Sequence, residues 1–107
     1  MGKAEQRLYL MRNRNGLFKV GISSNPDRRR RQIELSSGVT TDIIRCWATL
    51  DATAREVEQA VHVMYSRRRK HGEWFRVMTI QDVMLAGYEL TQCKNDGTMS
   101  AHYREEG

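Results

Sequence analysis

Cysteine is scarce in this chain: Cys46 and Cys93 are the only two in 107 residues, and they stand far apart with no CxxC or Cys/His cluster. That excludes a disulfide-stapled mini-protein and a structural zinc site of the usual spacing. Long apolar runs are missing as well. The uncharged apolar stretches are a few residues long, against the roughly 20 that a membrane helix needs, and no charged segment followed by an apolar one opens the chain as a secretory leader would. Proline occurs once and internal repeats are not visible. What is left is 39% hydrophobic and 29% charged residues, the mix of an ordinary globular domain, and the length suits one domain with one core. The expectation is a single domain over residues 1–90, a polar and loose tail over 91–107, and a cytoplasmic protein with reduced thiols.

Charge is plentiful but uneven. Residues 1–76 carry 16 Lys and Arg against 8 Asp and Glu, whereas residues 77–107 carry 2 against 5. Such asymmetry points to an anionic partner for the first three quarters of the chain. Arginine makes up most of the excess, and its planar fork suits phosphate, so nucleic acid is the partner expected. Solvated helix faces are the plainer explanation of such basic runs.

The apolar pattern predicts an α+β domain: a small three-stranded sheet opening with an antiparallel hairpin, packed against about three helices. Arg7–Arg12 alternates as a strand, Asn15-Gly16 is a hairpin turn signal in which both residues tolerate positive φ, and Leu17–Ser23 returns as the second strand. In that strand Phe18, Val20 and Ile22 share one face, and Lys19 and Gly21 the other. Asn25-Pro26-Asp27 reads as the cap and first turn of a helix that runs to about Ser36. Asp42–Leu50 is β-rich. Thr53 and Glu56 form a capping box, and Ala54, Val57, Val61 and Met64 are the core stripe of the helix that follows. A third helix, through Val83, Met84 and Tyr88, begins near Thr79.

Several of these features fall into one pattern. Tyr9 lies on the first strand, Lys19-Val20-Gly21 on the second, Arg29 on the first helix, Glu58 and His62 in REVEQAVH on the next, and GEWF follows at Gly72–Phe75. The arrangement resembles the GIY-YIG endonuclease superfamily, especially its short bacteriophage-type branch, in which KIG stands in place of YIG. The resemblance covers roughly Leu8–Val77. It departs from the family in reading Leu8-Tyr9-Leu10 without the Gly-Ile lead, and in having Lys19 where tyrosine usually stands.

The resemblance implies a metal-dependent endonuclease acting on DNA, including branched or otherwise structured forms, with catalytic Tyr9, Lys19, Arg29, Glu58 and His62. Glu58 is its single ligand to a divalent cation, magnesium or manganese, with water and phosphate completing the shell. Glu58 lies beside the core stripe, at a boundary where a carboxylate can face a cleft, although a helix-surface glutamate paired with His62 would have the same spacing. Arg29 is one turn before Ile33, the residue expected to touch the sheet, so it is the arginine placed to lean over Tyr9 and Lys19 and to stabilise phosphate charge. Lys19 is either the base that takes a proton from water, which burial and the neighbouring Arg29 would have to make possible, or a cation that grips phosphate. Tyr9 assists it or simply packs. His62 relays a proton, orients the nucleophile or is structural. Arg28, Arg30, Arg31, Arg67, Arg68, Arg69 and Lys70 contact the DNA backbone or nothing. Trp74 and Phe75 read as core, with base stacking a lesser role for Trp74. Larger relatives add a separate targeting domain, for which 107 residues leave no room. The competing reading is a non-catalytic factor of a phage or mobile element that binds nucleic acid or a host protein.

Overall fold

The computed structural model describes residues 6–49, 53–86 and 90–92. Its elements in order are β1 (Arg7–Asn13), β2 (Phe18–Ser23), α1 (Pro26–Ser37), β3 (Thr41–Thr49), α2 (Ala54–Met64), a 3-10 turn at Ser66–Arg68, β4 (Arg69–His71), β5 (Trp74–Phe75), α3 (Ile80–Met84) and β6 (Leu90–Gln92). They form the expected α+β domain with its opening hairpin and three helices. The three expected strands are the centre of a sheet ordered β4-β5-β2-β1-β3-β6, which three short strands extend at the edges. One of these, β6, pairs antiparallel with β3 and carries the sheet into the segment expected to be a loose tail. The rest of that segment, and Tyr88, lie outside the described residues.

The hairpin differs from the two-residue turn that Asn15-Gly16 suggested. Positive φ occurs at Gly16, at 82°, and not at Asn15. The Asn13 amide donates to the Leu17 carbonyl at 2.9 Å, enclosing a three-residue loop whose last position is the left-handed one. The Asn13 side chain then accepts from the Leu17 amide at 3.0 Å, which accounts for a nearly buried asparagine at the strand end.

Both faces of the central strands are covered. Leu8, Leu10, Val20, Ile44 and Trp47 pack with Val57, Val61, Phe75, Met78, Ile80 and Val83 under α2 and α3. Tyr9, Met11, Ile43 and Cys46 pack with Ile33 of α1 on the other side. A register shift opposite Leu10 and Met11 flips the phase of β3, so Ile43 and Cys46 face one layer while Ile44 and Trp47 face the other.

The helices begin and end where their caps dictate. Asn25 accepts from the Arg28 amide, Pro26 opens α1, and Gly38 closes it at φ 72°. Capping boxes at Thr53/Glu56 and Thr79/Asp82 start α2 and α3. Ala54, Val57 and Val61 are buried as the stripe predicted, but Met64 is 52% exposed. It is the last residue of α2, and Tyr65 packs against the core instead, its hydroxyl donating to the Asp82 carbonyl at 2.7 Å.

Helix α1 has little apolar surface to bury. Pro26, Arg30 and Ile33 are its buried residues. Arg30, 4% exposed, donates to Asp27 Oδ1 at 3.4 Å, Glu34 Oε1 at 2.9 Å and the Thr41 carbonyl at 3.4 Å. Glu34 in turn accepts from the Thr41 amide at 2.8 Å. This network fastens the helix to the start of β3 by charge-assisted hydrogen bonds where an apolar stripe would normally do so.

Candidate functional site

The site grows from the shortness of β5. It pairs with β2 through Phe18↔Phe75 and Lys19↔Trp74, and from Val20 onward no strand among the described residues lies along that edge of β2, whose other edge stays paired with β1. At this notch in the sheet the two layers meet. His62, from α2 on one face, reaches the exposed edge: its Nε2 lies 2.9 Å from the Val20 carbonyl oxygen. A carbonyl can only accept, which puts the ring proton on Nε2 and leaves Nδ1 to accept from Arg69, 3.5 Å away. The ring also packs on Phe75 at 4.9 Å between centroids. His62 therefore braces the edge of β2. Of the roles weighed for it, this contact is the structural one, and it commits one ring nitrogen to the backbone.

Across the notch stand the side chains of the opposite face. Tyr9 is 1% exposed and lies directly opposite Gly21 in the hairpin register. A Cβ at Gly21 would collide with the tyrosine hydroxyl and sit 2.6 Å from Cζ, so this glycine is the space the ring occupies. Burial pushes the Tyr9 hydroxyl up to about 12, more than the hydrogen bond and charge of Arg29 pull it down. Arg29 reaches it from an exposed position on α1 and also donates to Gln32 at 3.5 Å. The guanidinium carries only donors, so the phenol oxygen accepts and its own proton is left to donate elsewhere.

Lys19, 6% exposed, donates to Glu73 Oε1 at 2.7 Å, and its Nζ lies 5.4 Å from the centre of the Trp74 ring. These are contacts that a cation makes. Glu73 was not singled out from sequence, though it lies in the GEWF motif one residue before the register partner of Lys19. Burial pushes its carboxyl up, but the hydrogen bond and charge of Lys19, with His62 and Arg29 further off, outweigh burial and hold it below the usual range. Glu58 behaves oppositely. Burial, then the charge of Glu73, raise its carboxyl above the usual range against the weaker pull of His62, Arg55 and Lys19. Glu58, Gln59, His62, Arg69, Gly72 and Glu73 line a cleft of about 180 Å³. A wider apolar depression over Ala60, Val63 and Met64 lies on the outer face of α2; it shares Gln59 with the cleft but none of the cleft's charged groups, and its own charged residue is the capping Glu56. The chemistry-bearing residues therefore define the site better than cavity size does.

Among the described residues no three His, Cys, Asp or Glu side chains come together as a metal cage. The donor set at the cleft is one half-buried carboxylate, Glu58, beside a second that Lys19 already holds. A hard divalent cation that keeps most of its water fits such a set, because a half-buried carboxylate gains from a cation and phosphate oxygens can complete the shell.

The basic residues divide clearly. Arg28, Arg31, Arg67, Arg69 and Lys70 are exposed, Arg31 with a loose 3.7 Å pairing to Asp27. Two of the arginines weighed as DNA contacts have partners within the fold. Arg30 is buried in the α1 network described above and is not available to a phosphate. Arg68 pairs with Asp82 Oδ2 at 2.7 Å and stacks 4.5 Å over Tyr65, tying the 3-10 turn to the start of α3. Among the described residues no helix is long and apolar enough to cross a membrane. Neither a curated protein nor a solved structure matches the chain. Residues 6–93, which hold every strand and helix described and the whole notch, match the T5orf172 domain, and the chain belongs to this nuclease-related, GIY-YIG-like family.

Proposed function

We propose that the protein is an endonuclease that hydrolyses DNA phosphodiester bonds with the help of a single magnesium or manganese ion. The observation that supports this is the meeting of Tyr9, Lys19, Arg29 and Glu58 at one break in the sheet. Arg29, hydrogen-bonded to the tyrosine hydroxyl, and Lys19, held by Glu73, supply positive charge suited to binding a phosphodiester and stabilising the charge that builds on it. Tyr9 stays protonated across the working pH range, so it orients and donates and does not act as a base. Lys19 is better suited to phosphate than to proton abstraction, given its contacts to Glu73 and Trp74. Glu58 would hold the cation, which when bound lowers the pKa of its water and neutralises phosphate oxygen. Arg28 and Arg31 on α1, with Arg67, Arg69 and Lys70 near β4, are the exposed cations that would follow the DNA backbone.

The test is cleavage of supercoiled plasmid and of branched DNA with and without magnesium or manganese, repeated on Glu58→Gln. The expected outcome is cation-dependent cleavage that slows about a hundredfold in the variant, from a loss of about 3 kcal/mol of transition-state stabilisation. The fold should persist, since Glu58 borders the core without filling it. Full activity in Glu58→Gln would refute the role of Glu58. The Lys19–Glu73 pair, which occupies the lysine, favours a second reading as a DNA-binding factor without catalysis. Good DNA binding with no cleavage of any form would establish that one.

A further inference from the structure

We infer that Glu73 is a positioning residue, an internal anion that holds Lys19 until a DNA phosphodiester takes its place. The inference rests on the DNA-acting reading above and adds a displacement step to it. The pair is asymmetric. The Lys19 side chain is 8% exposed and that of Glu73 is 50% exposed, so the lysine is fixed and the carboxylate faces solvent. Trp74, paired with Lys19 in the sheet and lying against its ammonium, closes one side of the lysine, and Glu73 occupies the accessible one.

A nearly buried ammonium needs a counter-charge when no substrate is present, because an unpaired charge there is costly. Glu73 provides it, and the charges of Lys19, Arg29 and His62 all act on that carboxylate. That local potential is the one a phosphodiester would seek. Release of Glu73 requires little of the fold. It follows Gly72, at φ 54°, in the turn between two strands of three and two residues, and its own backbone belongs to neither. Rotation of one exposed side chain frees the lysine while Trp74 and Phe75 stay in the sheet.

Displacement has a signature that a merely structural ion pair lacks. Glu73→Gln keeps the shape and removes the charge, so DNA no longer competes with a carboxylate for Lys19. Binding of a labelled duplex and a branched DNA, read by fluorescence anisotropy in EDTA so that cleavage plays no part, should tighten by about three- to tenfold. In a Lys19→Met background the same substitution should change affinity by less than about twofold, because the competed cation is gone. At saturating DNA with magnesium, Glu73→Gln should turn over within about twofold of the unmodified protein, because the carboxylate has already left Lys19 in that state, so the change lies in affinity and not in rate. Affinity that is unchanged or weaker in Glu73→Gln, while the unmodified protein binds, overturns the inference. An equal gain in the Lys19→Met background also overturns it. Failure of the unmodified protein to bind either DNA overturns the DNA-acting reading itself, and the inference with it.

Discussion

Gly21→Ala adds one methyl group to the hairpin, and the structure says where it would go. The new carbon would lie against the Tyr9 hydroxyl, 2.6 Å from Cζ and 3.1 Å from Cε1. Tyr9 is 1% exposed, with Met11, Ile33, Ile43 and Cys46 in the same apolar layer, so its ring has no open space to enter. Overpacking of this kind costs about 1–3 kcal/mol. Alanine is better than glycine inside a strand by about 0.5–1 kcal/mol, which leaves a net loss of up to about 2.5 kcal/mol. For a domain of this size each kcal/mol lowers Tm by about 4–8 °C. Thermal unfolding followed by far-ultraviolet circular dichroism would measure it. The control is the same substitution in a Tyr9→Leu background, where the atoms that collide are gone and only the strand preference remains. There Gly21→Ala should be neutral or stabilising by up to about 1 kcal/mol. An equal loss in both backgrounds would show that Gly21 is required for its own backbone and not as the seat of the tyrosine.

Two further expectations concern charge. Arg30→Met should destabilise the protein by about 2–3 kcal/mol in urea unfolding, less than a fully buried pair because Asp27 and Glu34 keep part of their water. Arg31→Ala should leave stability within about 0.5 kcal/mol while flattening the log–log salt dependence of DNA binding by about 1; the reverse ranking would contradict the burial of Arg30. The Asp82 carboxyl is pushed up by burial, but hydrogen bonds from Arg68 and from the backbone and hydroxyl of Thr79 outweigh this and hold it below the usual range. Its contribution to stability is therefore complete above the unfolded value of about 4 and drains away as pH falls through the lower folded value. Asp82→Asn should cost about 1 kcal/mol at pH 7 through the weakened cap, and the gap from the unmodified protein should narrow as pH falls below the unfolded value of about 4 and through the lower folded one; a gap that stays constant through acid pH would argue against the assignment.

Local chemistry made much of the fold legible. The caps at Asn25, Thr53 and Thr79, the proline at the start of α1 and the alternation of β2 are each decided by one or two neighbouring residues, and each stands where its sequence signal lies. What escaped depends on distant partners. Arg30 looks like any member of a run of four arginines until Thr41 is folded beside it. Met64 fits the stripe of α2, but the helix ends there and Tyr65 finds Asp82. The pattern of β3 has no constant period because its bulge is fixed by pairing with β1. At the site, Tyr9, Lys19, Arg29 and Glu58 were named from the resemblance to the GIY-YIG pattern, and the notch brings them together. Glu73 was missed because a glutamate beside a tryptophan carries no signal until β5 lies against β2 and brings it to Lys19. His62 was named, but the unpaired carbonyl that engages it exists only because β5 stops after two residues.

The covering of both faces of the hairpin has a consequence for how its strands find their alignment. In most small sheets one face is wet, and a slip of one residue would turn the apolar side chains outward. Leu8, Tyr9, Leu10 and Met11 are all buried, so a slipped β1 would still place apolar atoms in both layers, and hydrophobicity alone barely distinguishes the two alignments. Shape and loop geometry must make the distinction. The left-handed Gly16 sets the reversal, and the single tyrosine of β1 fits over the single glycine of β2, where any other offset would drive its ring against a side chain. The residue whose hydroxyl meets Arg29 is thus also the key that indexes one strand against the next.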